Sequence, residues 1–238
     1  MGYLWSLLKP LMLFGVLLIV FSYVIPLGKG VPHFPVYLLL GIMVWTFFTE
    51  ATSMGLGAIV GRGDLIRKVK ISKPTIVLSA VISAGVNFIF NLAVLIVFMI
   101  INQVEVSWSL VWLVPILLVE LISLAIGLAF LLSALYVKFR DLGPIWEVVL
   151  QMLFYATPII YPLSMITSQK LAIIISLSPI AQIIQDLRYI LITPSQGTTH
   201  SILGIWYLQL IPFAIVGLVL VVGTLYFRKN SEYFVEDL

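Results

Sequence analysis

Few side chains in this sequence could do chemistry. The two histidines, His33 and His200, stand apart and lack the HExxH or HxxxH spacing that sets two imidazoles on one helix face, so no metal centre is expected. Cysteine is absent, which removes disulfides, thiolate ligands and a thiolate nucleophile. There is no Walker A loop, no GxSxG elbow and no aspartate pair spaced for metal-assisted group transfer, so no catalytic residue is expected. Three carboxylates remain, Glu50, Glu120 and Glu147, each within or at the edge of a long apolar run. A charge at the centre of a membrane-crossing helix costs about 2.5–3.5 kcal/mol on insertion scales, so such residues face a cavity or another helix. Two readings stand side by side: a polar lining for a conduit, or pairing with a neighbouring helix, with Glu147 also close to an interface.

Spacing groups these residues with others. Glu147, Gln151, Phe154 and Pro158 share one helix face and mix acid, amide and aromatic groups. That mixture suits a hydrated, sugar-like or amphiphilic cargo, because rings stack on apolar sugar faces while amides and acids bond to hydroxyls. An ordinary bundle interface with an aromatic filler is the competing reading. Ser79, Ser83, Asn87 and Asn91 recur every four residues, a pattern that favours helix-to-helix packing over lining. Tyr37 and Tyr161 fit an interfacial aromatic belt, whereas Trp45, Phe47 and Phe48 lie too deep for one.

The elements that must position these groups follow from composition. The chain has 238 residues, 62% hydrophobic and 10% charged, far more apolar surface than a soluble fold hides. Six long apolar runs, 4–25, 36–60, 75–101, 110–137, 142–161 and 205–227, each supply the roughly 20 helical residues that cross a bilayer core. Continuous runs exclude the alternation of a membrane barrel, so the expected fold class is an all-α membrane protein with six transmembrane helices in one domain. The first run is too long for a signal-peptide core and has no small-residue cleavage site after it, so it is expected to be retained.

Lysine and arginine orient the spans. With the N-terminus inside, Lys9, Arg62, Arg67, Lys68, Lys70, Lys73, Lys138, Arg140, Arg228 and Lys229 are cytoplasmic, and Lys29, Lys170 and Arg188 lie outside. Both termini are then cytoplasmic. The less regular stretch 171–192 would reverse Arg228 and Lys229 if it crossed. It is therefore expected as two short helices, within about 165–193, broken near Ser178-Pro179 and re-entrant from the outer face. The longest polar loop, 61–74, carries five basic residues and an apolar side of Leu65, Ile66, Val69 and Ile71. It can form a short amphipathic helix along the membrane and dock a partner. With no long hydrophilic segment in the sequence, the energy source is expected on another chain.

Several segments carry a family resemblance: GYLWSLL with Pro10 at the start, GIMVWTFF from Gly41 to Phe48, GRGDLIRKVKISKP from Gly61 to Pro74, LSALYVKFRDL from Leu132 to Leu142, TPIIYPLSM from Thr157 to Met165, and the closing Tyr233 to Leu238. The chain resembles the membrane subunit of bacterial ABC-2 type transporters that export polysaccharides and polyol phosphates, the O-antigen and teichoic acid exporters. The resemblance implies a homodimer in the inner membrane of a bacterium, working with two cytoplasmic ATP-binding subunits. ATP and magnesium would be bound there, with no cofactor in this chain, and the cargo would be a lipid-linked glycan. It implies coupling to the ATPase through Asp64, Leu65, Ile66, Arg67, Lys68 and Lys70. It also implies aromatic path residues at Trp45, Phe48, Phe154 and Tyr155, to which the residue reading adds Glu50, Glu147 and Gln151. A gate is implied around Pro179, Asp186 and Arg188.

Family members usually open with a basic interfacial helix ahead of the GYLW segment, and this sequence opens at that segment. Either the start lies at an internal codon or the helix is missing, which bears on part of the ATPase contact. Two other functions compete. One is an ABC-2 exporter of drugs or small lipids, with the same architecture; the other is a membrane-embedded glycan or lipid enzyme, active without ATP. Besides membrane lipids, no further partner is expected, and no nucleic acid.

Overall fold

Long apolar runs can satisfy their backbone in lipid only by folding as helices or closing a barrel. In the computed structural model, described for residues 2–25, 30–68, 71–192, 208, 210–232 and 234, every regular element among those residues is helical. Helix α1, Gly2–Ile19, contains Pro10 and passes into a π-helical turn, Val20–Val24. Then follow α2, Phe34–Gly57, the short α3, Gly63–Lys68, and α4, Lys73–Ile101. A 3-10 turn, Trp108–Leu113, leads into α5, Val114–Lys138. The remaining helices are α6, Leu142–Ala156, α7, Gln169–Ser176, α8, Pro179–Leu191, and α9, Leu210–Ser231. Helices α2, α4, α5 and α8 each begin with a proline in the first turn, where its missing N–H would be unpaired anyway.

Four helices, α2, α4, α5 with its 3-10 lead-in, and α9, are long and apolar enough to cross a membrane. The α1 region and α6 are apolar but shorter, and α7 and α8 meet at 94° across the Ser178-Pro179 break. One expected span is corrected: the run 142–161 is helical only to Ala156. Thr157 precedes Pro158, whose ring crowds the helical conformation of the residue before it, and Thr157 is extended at φ −86 and ψ 140.

Helix α2 is the centre. Its side chains are buried almost all round, and it packs chiefly on α4 and α5. By contrast α4 turns Ile82, Ile89, Ile96 and Ile100 outward, and α9 does the same with Leu218, Val221 and Leu225, all more than half exposed. Such stripes suit contact with lipid. The inner contacts are close because they are made by small residues. Any Cβ at Gly127 of α5 would sit 2.8 Å from Leu220 Cα of α9, and one at Gly223 would run into the Gly127 carbonyl. Gly55 of α2 meets Ala129 of α5 in the same way.

Polar contacts fix one end of the bundle. Lys73 Nζ at the start of α4 donates to Ser231 O at the end of α9 and lies 5.7 Å from the Phe234 ring centroid. Lys138 Nζ at the end of α5 donates to Asn230 Oδ1 at 3.2 Å. The start of α4 and the ends of α5 and α9 therefore meet, and their basic residues gather on one face. At the opposite end the Ser107 N–H donates to Ile190 O at 3.1 Å, tying the α4–α5 connection to α8.

The α5–α9 contact makes a prediction. Gly127→Leu overpacks it and should cost about 1–3 kcal/mol or more, read as a lower unfolding temperature of the purified chain in detergent. Gly217→Leu, where a Cβ meets nothing within 4 Å, should leave that temperature unchanged.

Candidate functional site

A cavity of about 700 Å³ opens among α1, α2 and α6. Helix α6 presents Gln151, Phe154 and Tyr155 to it, positions three and four apart on one face, and α2 presents Trp45, Thr46, Thr49 and Glu50 by the same rule. Helix α1 adds Lys9, Pro10 and Leu13. Trp45 is wedged between Phe48, 5.6 Å away, and Phe154, 5.9 Å away, and Phe154 meets Tyr155 edge-on at 5.4 Å. Glu50 Oε2 accepts from Asn87 Nδ2 of α4 at 3.3 Å, and the Lys9 charge acts on the same carboxylate. Below the cavity Trp146 Nε1 donates to Thr52 Oγ1 at 3.3 Å, joining α6 to α2. The result is a recess lined by tilted and edge-on rings together with an acid, an ammonium, an amide and hydroxyls.

Five of the seven expected path residues, Trp45, Glu50, Gln151, Phe154 and Tyr155, line this recess together. Phe48 does not; it is buried behind Trp45 and supports it. Glu147 does not either. It lies exposed one turn nearer the start of α6. Glu50 lines the recess and is also bonded to α4, the pairing with a neighbouring helix that the sequence offered as one of its two readings. Lys9 was counted only as a cytoplasmic cation. The signal for its second role was its position inside an apolar run, directly before Pro10.

The expected gate residues lie on or at the start of α8. Pro179 opens α8 at the 94° break, and Asp186 Oδ2 accepts from Gln182 Nε2 at 2.8 Å. Arg188, counted with the cations on the outer side of the membrane, is fully buried. Its Nη1 donates to Pro158 O at 2.6 Å, Nη2 to Ile159 O at 2.7 Å and Nε to Tyr37 O at 3.1 Å. The guanidinium carbon lies 3.4 Å from the Tyr37 ring centroid, so Tyr37 is a buried cation partner and not part of an aromatic belt. The Tyr161 hydroxyl donates toward Tyr155 O and Ala156 O, each at 3.2 Å, and so covers the end of α6. Gly41 leaves the space this requires, because a Cβ there would stand 2.5 Å from Arg188 Nη2.

The expected coupling segment forms the helix α3, with Asp64 exposed in its first turn and Ile66 buried in the core. The side chains of Leu65, Arg67 and Lys68, and Lys70 altogether, lie outside the described residues. Arg62, just ahead of α3, donates through Nη1 to Ser79 Oγ at 2.9 Å, so α3 is tethered to α4. Ser79 and Asn87 of the polar stripe thus act as links between elements, in line with the packing reading.

Apolar crossing helices around a lateral, half-polar recess make a membrane permease. The chain belongs to the ABC-2 type transporter family, whose description matches residues 1–192. It is similar to the O-antigen export system permease protein RfbA of Klebsiella pneumoniae, 29% identical over 239 residues that cover 100% of this chain and 88% of that protein. The protein of the same name from Myxococcus xanthus is 28% identical over 191 residues, 80% of this chain and 72% of its own length. The polysialic acid transport protein KpsM of Escherichia coli is 27% identical over 172 residues, 71% and 66% respectively.

The Arg188 contacts predict a large structural effect. Arg188→Ala strands three carbonyls, and hydrogen bonds to a charged group contribute about 1.5–3 kcal/mol each. The variant should accumulate poorly in membranes and unfold at a markedly lower temperature in detergent. Arg188→Lys should recover only part of the loss, since a single ammonium does not reproduce the planar fork of donors.

Proposed function

We propose that this chain is the membrane subunit of an ATP-driven exporter that moves a lipid-linked polysaccharide or teichoic acid type polymer across the inner membrane of a bacterium. The observation that carries the reading is the recess among α1, α2 and α6, which Trp45, Phe154 and Tyr155 line together with Glu50, Gln151 and Lys9. Rings of that kind stack on the apolar faces of sugars, acid and amide groups bond to hydroxyls, and an ammonium meets phosphate or carboxylate. The names of the curated relatives, for O-antigen and polysialic acid, support a glycan cargo.

Two copies of the chain form the working unit, with their recesses facing across the dimer contact. Tyr155 is 71% exposed in the single chain and α6 buries only Leu150 fully, which supports a partner surface there. Two ATP-binding subunits dock on the cytoplasmic face through α3, and Arg62 transmits their movement to α4. ATP and magnesium belong to those subunits. The chain crosses six times, with α1 and α6 as the two short spans, and α7 and α8 re-enter from the outer side. Both termini are cytoplasmic, a reading supported by the meeting of Lys73, Lys138 and the end of α9 at one end of the bundle.

Reconstitution of the chain with its ATPase and a lipid-linked glycan tests this. Glycan should stimulate ATP hydrolysis and appear in the vesicle lumen. Trp45→Ala and Phe154→Ala should each slow transport roughly two- to tenfold, the effect of about 0.5–1.5 kcal/mol for an aromatic contact. Ile96→Ala on the outward face of α4 should leave it unchanged. Hydrolysis indifferent to glycan, with no glycan moved, contradicts the proposal.

A further inference from the structure

Helices α4 and α5 both pack on α2 and much less on each other, which leaves a seam between them. A cavity of about 520 Å³ occupies that seam, with Leu95 and Met99 of α4 on one wall, Val114 and Leu118 of α5 on the other, and Met43 and Val44 of α2 as its floor. Its volume is that of a small-molecule site, about 300–1,000 Å³. Ile96 and Ile100 also line it and are more than half exposed, so it opens sideways through the outward stripe of α4, the face that suits lipid. Nearly every lining side chain is apolar, and water in such a space lacks the polar partners that hold it. The α4 wall from Leu92 to Ile100 is about 12 Å long at 1.5 Å per residue. That is close to half of a bilayer core about 30 Å thick.

Polar groups gather at one end of this cavity. Gln103 and Trp108 line it where α4 finishes, and Trp108 and Trp112 are 81% and 64% exposed. Exposed tryptophans of that kind sit at the level of lipid headgroups. Val104 and Val106 line the cavity too, and between them Glu105 is exposed, the one ionisable side chain from 102 to 113. The headgroup level beside this cavity thus carries an amide and an acid, and no base.

We propose that the cavity between α4 and α5 binds one acyl chain of a phospholipid whose headgroup carries an ammonium. The chain fills the apolar seam down to Met43 and Val44, and the headgroup lies at Gln103 and Glu105. The Gln103 amide donates to ester or phosphate oxygens, and Glu105 accepts from the ammonium. An anionic headgroup without an ammonium would instead set like charges side by side at Glu105. This inference requires only that the chain lies in a membrane; it does not depend on the cargo.

The test uses the full chain in liposomes of phosphatidylcholine with a trace of phosphatidylethanolamine that carries a photoactivatable group in one acyl chain. After illumination, peptide mass spectrometry should place adducts on the cavity walls, at Leu95, Met99 or Leu118. Added phosphatidylethanolamine should suppress them more effectively than phosphatidylglycerol does, and Glu105→Gln should remove that difference. Ile100→Trp, which fills the opening from an exposed position, should lower the adducts several-fold, whereas Val221→Trp on the outward face of α9 should leave them unchanged. Should Ile100→Trp not accumulate, competition by the unlabelled lipids in the unaltered protein decides the matter. Adducts spread evenly over the outward faces of α4 and α9, or equal suppression by the two lipids, overturn the proposal. Disulfide formation between copies that carry Ile100→Cys also overturns it, in favour of a contact between two copies of the chain.

Discussion

Backbone carbonyls freed inside an apolar bundle must find donors, and this fold meets that requirement mainly with one arginine. Helix α6 stops at Ala156 and the chain turns through Thr157, Pro158 and Ile159 while still buried. The Tyr161 hydroxyl reaches back to the last carbonyls of α6, the Ile159 N–H donates to Thr157 O, and Arg188 covers Pro158 O and Ile159 O together with Tyr37 O. An unsatisfied polar group in hydrocarbon costs several kcal/mol, so the break is tolerable only with those donors in place. Much else follows from that constraint. Residue 41 must be glycine, the Tyr37 ring must lie beneath the guanidinium, and α8 must be held against α2 and the turn that follows α6. The break sets where α6 ends, and so where the recess ends.

Burial divides the polar residues into two groups. Those at the end of the bundle where α4 begins, Arg62, Lys73 and Lys138, make contacts that a hydrated surface tolerates, and they tie loop and helix ends together. Three of those within the bundle are answered by a specific neighbour: Glu50 by Asn87, Arg188 by carbonyls, Asp186 by Gln182. The Glu120 carboxyl oxygens and Asn91 Oδ1 have no hydrogen-bond partner among the described residues. The recess is lined by only two charged residues among those described, Lys9 and Glu50.

The apolar runs made α2, α4, α5 and α9 readable from the sequence, because length and hydropathy alone specify such helices. The break at Ser178-Pro179 was equally readable, since proline chemistry is local. Thr157-Pro158 carried the same signal, yet the apolar run continued through it to Tyr161 and hid the stop. Sequence periodicity placed Gln151 and Phe154 on one face but extended that face to Glu147, because periodicity does not say where the opposing walls end. Arg188 was misplaced for a different reason. Counting charges treats every arginine as a surface cation, and only the tertiary fold reveals three carbonyls that need one. Lys9 was likewise hidden by the charge count.

The account rests most on the claim that cargo passes along the α1, α2 and α6 recess, and the cysteine-free chain offers a direct measurement. A single cysteine at position 151 can carry a photoactivatable probe, with a second protein probed at position 96 on the outward face of α4. Each is combined with the ATPase and a lipid-linked glycan, illuminated during turnover, and examined for glycan adducts. The account predicts ATP-dependent adducts at position 151 and none at 96. Adducts at 96 alone, or equally at both positions, would contradict it.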